Sequence, residues 1–110
     1  MEITVYSKPS CVMCEATYRG LLSKGIDFNL TNVAIDSDSL EYIKSLGYLQ
    51  APVVVTSVGH WSGFRPDKIN ELLQAMLEAG ATLNPRGQQE VEAQIKVIKT
   101  DMLAATEVAA

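Results

Sequence analysis

The chain has 110 residues, which at roughly 150 residues per domain argues for a single domain. Hydrophobic residues make up 47% and charged residues 20%, which excludes disordered and fibrous classes, and no apolar run approaches the roughly 18 residues needed to cross a bilayer. The formal net charge of −4 and the pI near 4.8 argue against binding to a phosphate backbone, so neither nucleic acid nor a membrane is an expected partner.

In chain order, residues 2–6 (Glu-Ile-Thr-Val-Tyr) alternate and are rich in β-branched and aromatic side chains, the pattern of a strand. Ser7-Lys8-Pro9-Ser10 breaks that pattern, because Pro9 cannot continue a ladder. From Cys11 a helix is predicted: Cys14, Thr17 and Leu21 share a face beside Ala16 and Gly20, and Lys24-Gly25 stops it. Residues 26–33 alternate again as a second strand. Asp36-Ser37-Asp38 starts a second helix, with Asp38 and Glu41 spaced as a capping box, and Gly47 ends it. Pro52 opens the run Val53-Val54-Val55-Thr56, which has the β-branched density of a central strand. Ser57-Val58-Gly59 turns, and His60-Trp61 returns as a short hairpin partner. Pro66 begins a third helix, with Ile69, Leu72, Leu73, Met76 and Leu77 as its apolar stripe and Gly80 as its stop. Strand, helix, strand, helix, strand, strand, helix is the order of an α/β layer fold.

The two cysteines, Cys11 and Cys14, are separated by only two residues. A bridge this local closes a tiny loop and adds little stability through chain entropy. Met1-Glu2-Ile3-Thr4 carries no basic cluster before an apolar stretch, so no secretory signal is expected and the chain is placed in a reducing cytoplasm, where a permanent structural bridge is out of place. Redox chemistry and metal binding remain as readings of C-x-x-C. A structural zinc wants four ligands, and with a single histidine, His60, the chain would need carboxylates or a second copy to supply them; no metal is expected.

A C-x-x-C that follows a strand and opens a helix is the thioredoxin-like redox motif. The first cysteine then sits at the helix N-terminus, where unsatisfied N–H groups and the helix dipole favour a thiolate. Lys8 is a candidate for a further positive charge beside it. Cys14 lies one turn inward, placed to resolve a mixed disulfide formed by Cys11.

Three blocks carry a resemblance to a known family: Cys11-Val12-Met13-Cys14, Leu46-Gly47-Tyr48-Leu49-Gln50-Ala51-Pro52-Val53-Val54-Val55, and His60-Trp61-Ser62-Gly63-Phe64-Arg65-Pro66-Asp67. They resemble the glutaredoxin-like NrdH-redoxins over about residues 1–79. The resemblance implies a thioredoxin/glutaredoxin-like α/β fold, a four-stranded mixed sheet flanked by helices. It implies a thiol–disulfide oxidoreductase reduced by thioredoxin reductase with NADPH, donating electrons to the large subunit of class Ib ribonucleotide reductase. Cys11 would be the attacking thiolate and Cys14 the resolving thiol, with no cofactor beyond their disulfide. Pro52, after Ala51, matches the family's cis-proline, whose backbone edge pairs with the bound substrate. Trp61, Ser62, Gly63, Phe64 and Arg65 match a loop that shapes the partner surface, to which Lys8, Val12 and Met13 would add.

Two departures stand out. Relatives commonly carry glutamine where this chain has Met13, which loses amide hydrogen bonds and adds a soft apolar surface beside the sulfurs. Relatives also end near position 80, whereas residues 81–110 continue here. In that extension Asn84-Pro85 has the pattern of a helix cap and first turn, and Val91, Ile95, Ile98 and Met102 form an amphipathic stripe ending in a frayed tail. The stripe fits a helix docked on residues 1–80, or one that recruits a partner. Two other functions stay open on the motif alone: a glutathione-dependent glutaredoxin, and a non-enzymatic redox-sensing adaptor of the arsenate-reductase-like type.

Overall fold

The computed structural model describes residues 2–109, with side chains as far as Ala105. Four strands and four helices follow one another along the described residues: β1 (Thr4–Ser7), α1 (Val12–Ser23), β2 (Asn29–Asn32), α2 (Ser37–Ser45), β3 (Val53–Thr56), β4 (Gly59–Ser62), α3 (Pro66–Glu78) and α4 (Gln88–Ala109). The strands form one mixed sheet in the order β2-β1-β3-β4, with β1 parallel to β2 and antiparallel to β3. β3 and β4 make an antiparallel hairpin. This is the thioredoxin/glutaredoxin fold. Among the described residues no helix is long and apolar enough to cross a membrane.

Successive strand residues face opposite sides of the sheet, so the register sorts the core into two layers. Val5 pairs with Val54 and Val54 with Trp61. These three face a cluster filled by Cys14, Tyr18 and Leu21 of α1, Ile69 and Leu72 of α3, and Val91 and Ile95 of α4. On the other face Val53 joins Val33 and Ile43 in a smaller cluster under α2.

Several boundaries differ from the sequence expectation, for local reasons. β2 is shorter than 26–33 because Ile26 is fully buried under the end of α1, its N–H bonded to the Leu21 carbonyl. α2 is capped by Asp36, whose carboxylate accepts from Ser39 N at 3.1 Å, so the capping box of Asp38 and Glu41 does not form. Leu77, expected in the apolar stripe of α3, is 51% exposed, because the face that α3 buries is the one carrying Ile69, Leu72 and Met76. α4 starts at Gln88, not at Pro85. Residues before it run as a connector across the end of α1, and a Cβ on Gly25 (φ +75°) would collide with the backbone of Asn84 and Pro85. Arg86 pins the connector, pairing with Asp27 at 3.0 Å and Glu90 at 3.7 Å.

α4 lies along α1. Val91, Ile95 and Met102 are buried and Ile98 is partly so, and Arg19 forks onto Glu92 with N–O distances of 2.7 and 3.2 Å. The Ser7 hydroxyl of β1 and the Tyr18 hydroxyl of α1 are hydrogen-bonded to each other, and Tyr18 also donates to Met102 Sδ of α4 at 3.6 Å. The frayed end expected for the extension does not appear in the described backbone, which is helical as far as Ala109; Ala110 lies outside the described residues.

Candidate active site

Ser10, in the left-handed region at φ 56°, turns the chain out of β1 so that Cys11 arrives as the N-cap of α1 in extended conformation. A helix start leaves backbone N–H groups without partners. Here the Cys11 sulfur takes one of them, accepting from Cys14 N at 3.2 Å. Cys11 is half-buried, whereas Cys14 faces the core at 1% exposure, and the two are joined as a disulfide across the first turn. Cys11 Sγ also lies 4.0 Å from the Ala51 carbonyl, so the loop before β3 borders the bridge.

That loop is set by its connections. The Ala51–Pro52 peptide is cis. Gly63 donates from its N–H to the Pro52 carbonyl at 2.9 Å, and the Ser62 hydroxyl donates to Gln50 O at 3.2 Å. Gly63 needs its φ of +82°, and a Cβ there would press on Met13 Cε at 3.0 Å. The Met13 carbonyl accepts from the Thr17 hydroxyl at 2.9 Å, which holds the first turn of α1. The rim around the disulfide therefore carries Val12 and Met13, at 80% and 47% exposure, while the ring of Phe64, 38% exposed, lies near Gly20 farther along α1.

Arg65, the residue before α3, forks onto Asp67 at 3.0 and 2.8 Å, which raises the guanidinium pKa and lowers that of the carboxyl. Lys8 stands exposed on the opposite rim, with no ion-pair partner among the described residues. Trp61 departs from its expected place on the rim. Its position opposite Val54 turns the indole inward, where it is 6% exposed and part of the core. His60, the remaining ligand type of the zinc reading, bonds the Tyr48 hydroxyl through Nδ1 at 2.7 Å. Among the described residues no group of three His, Cys, Asp or Glu is gathered to hold a metal ion.

The sequence reading missed the side of the site made by α4. A cleft of about 370 Å³ opens beside Cys11, with Lys8 and Val12 on one wall and Lys99 and Leu103 on the other. Glu15 sits between them and pairs with Lys99 at 2.7 Å. An acidic residue in the first turn of α1 was visible in the sequence, but its cation, far along the chain, was not.

Two sulfurs within one helical turn, one bordering solvent and one in the core, are arranged for exchange between a dithiol and a disulfide. On this sheet the pair makes the protein a thiol–disulfide oxidoreductase of the thioredoxin fold. Comparison with known proteins agrees. The glutaredoxin family model matches residues 3–61. The glutaredoxin-like protein NrdH of Salmonella typhimurium is 43% identical over 72 residues, 66% of this chain and 89% of that protein. Its counterpart in Escherichia coli K12 is 42% identical over 81 residues, 74% of this chain and the whole of that protein. The solved structure of NrdH-redoxin from Escherichia coli superposes with a TM-score of 0.64 at 43% identity, over 66% of this chain and 95% of that one. The chain belongs to the glutaredoxin-like NrdH family.

Proposed function

We propose that this protein is a dithiol electron carrier that takes electrons from NADPH through thioredoxin reductase and delivers them to protein disulfides, those of class Ib ribonucleotide reductase first among them, in the cytoplasm. The observation that carries the reading is the asymmetry of the cysteine pair: Cys11 caps a helix at the rim while Cys14 is buried behind it. The NrdH-redoxin of Escherichia coli is described as having a thioredoxin-like activity profile, which favours thioredoxin reductase over glutathione as the reductant.

In the reduced protein the Cys11 thiolate, favoured by the helix N-terminus, attacks one sulfur of the partner's disulfide. That bond breaks, one partner thiolate leaves, and a mixed disulfide joins Cys11 to the other partner sulfur. Cys14, one turn away, then loses its proton and attacks Cys11 Sγ, releasing the second partner thiolate and closing the Cys11–Cys14 disulfide. Two electrons have passed to the partner, and two from NADPH through the reductase reopen the bridge, so the redox couple is the cysteine pair itself. Ala51 and Pro52 would offer backbone to the partner strand, and Lys8, Val12, Met13, Ser62, Gly63, Phe64 and Arg65 would shape the contact around it. Trp61 would serve that surface from beneath, by supporting the hairpin.

The test is NADPH consumption with thioredoxin reductase, compared with glutathione plus glutathione reductase at matched disulfide concentration. Turnover is expected with the reductase and not with glutathione. Equal turnover with glutathione would move the protein to the glutathione-dependent glutaredoxins.

A further inference from the structure

Glu15 is poorly placed for the chemistry beside it. Its carboxylate lines the same cleft as Cys11, and a negative charge close to a sulfur that must ionise disfavours the thiolate. Its reach is visible at Tyr18, whose phenol is raised first by burial, is lowered by the bond to Ser7, and is raised again by the Glu15 charge. α4 brings the compensating cation: Lys99 Nζ lies 2.7 Å from Glu15 Oε1, and Glu15 is the more buried partner, at 25% side-chain exposure. The helix that holds Lys99 there is seated by Val91, Ile95 and Met102 in the core, so the cation is delivered by packing.

We propose that Lys99 is a positioning residue for thiol–disulfide exchange: by pairing with Glu15 it cancels a charge that would otherwise hold Cys11 in its thiol form. This rests on Cys11 being the attacking sulfur. Among the described residues no other cation pairs with Glu15. Lys8, on the β1–α1 loop, borders the cleft and has no acidic partner among the described residues. Arg65, beyond β4, is occupied by Asp67. Farther along α1 and α4, Arg19 is occupied by Glu92, and Lys96 lines a surface depression together with Glu15 and Lys99. The loop before β3 meets the sulfur through the uncharged Ala51 carbonyl.

The experiment is the pH dependence of Cys11 alkylation by iodoacetamide in the reduced full-length protein, with the modified residue located by mass spectrometry. Lys99→Gln is expected to raise the midpoint by roughly half a pH unit, about a threefold loss of thiolate below it, as for one uncompensated charge in a partly solvated site. Lys99→Arg should keep the wild-type midpoint. Adding Glu15→Gln to Lys99→Gln should return the midpoint to the wild-type value, because the charge needing cancellation is gone. An unshifted midpoint in Lys99→Gln, an equal shift in Lys99→Arg, or a double variant that stays raised would each overturn the proposal. Labelling of Cys14 in place of Cys11 would overturn it through the cysteine assignment. None of these readouts depends on which reductase or protein partner the redoxin serves.

Discussion

At Cys11 the chain joins two conditions that a nucleophilic sulfur needs, a helix start that favours its anion and a rim position that admits another disulfide. Cys14, at 1% exposure, has only proximity. Cys11→Ser is therefore expected to reduce turnover of a small disulfide to background. Cys14→Ser should attack once and stall as a mixed disulfide, visible by mass spectrometry as a stable adduct on Cys11. An adduct on Cys14 in the Cys11→Ser protein would reverse the roles. The cysteine geometry was legible in the sequence because an N-cap depends on only a few neighbouring residues. The place of Trp61 was not. Its side chain follows from pairing with Val54 across the hairpin, and a shift of one residue in that register would have turned the indole outward.

Among the elements, α4 best separates pattern from packing. Its stripe of Val91, Ile95, Ile98 and Met102 is readable as an amphipathic helix, and the structure shows the surface it covers, the outer side of α1. The ion pairs along this contact are at least partly exposed, and such pairs contribute about 0–1 kcal/mol each. Burial of the stripe contributes more, on the order of 1.5–3 kcal/mol for each fully buried side chain before ordering entropy is subtracted. Ile95→Ala, at a site 3% exposed, is expected to destabilise the fold by about 2–5 kcal/mol in chemical denaturation. Val97→Ala, at a site 59% exposed on the same helix, should stay within about 0.5 kcal/mol of wild type. Equal effects of the two variants would refute the seating of α4. The Asp38–Glu41 box and the Pro85 start that sequence reading expected give way to Asp36 and Gln88 because of where the chain is pulled into contact. Ser39 N reaches Asp36, and the 81–87 connector must cross the Gly25 turn before a helix can begin.

For the whole molecule, the sheet with its three flanking helices is complete by Glu78, and α4 is laid over it afterwards. We propose that residues 1–80 form a redox unit able to fold alone, with 81–110 as its stabilising extension. A chain ending at Gly80 is expected to be folded by circular dichroism and to reduce a small disulfide. Its Tm should lie below that of Ile95→Ala, since it loses Val91 and Met102 as well as Ile95. A truncated protein that is unfolded would show that α4 is part of the folding unit. One that melts with the full-length chain would show that the α1–α4 contact contributes nothing.

The amino-acid sequence by itself determined the local rules of this protein: alternation in β1 and β3, the helix opened by a cysteine pair, the proline before β3, and an amphipathic final segment. Each depends on residues within one or two turns of one another, where periodicity, caps and backbone restrictions act. Only the tertiary structure decided that Trp61 points inward, that Leu77 stays exposed, and that Lys99 meets Glu15 at the edge of the active site. The Tyr18–Met102 contact in the same α1–α4 interface spans 84 residues. No spacing in the sequence encodes such a meeting, because it arises from the apolar stripe of α4 finding the outer side of α1, and the charges at its margin are carried into place by that burial.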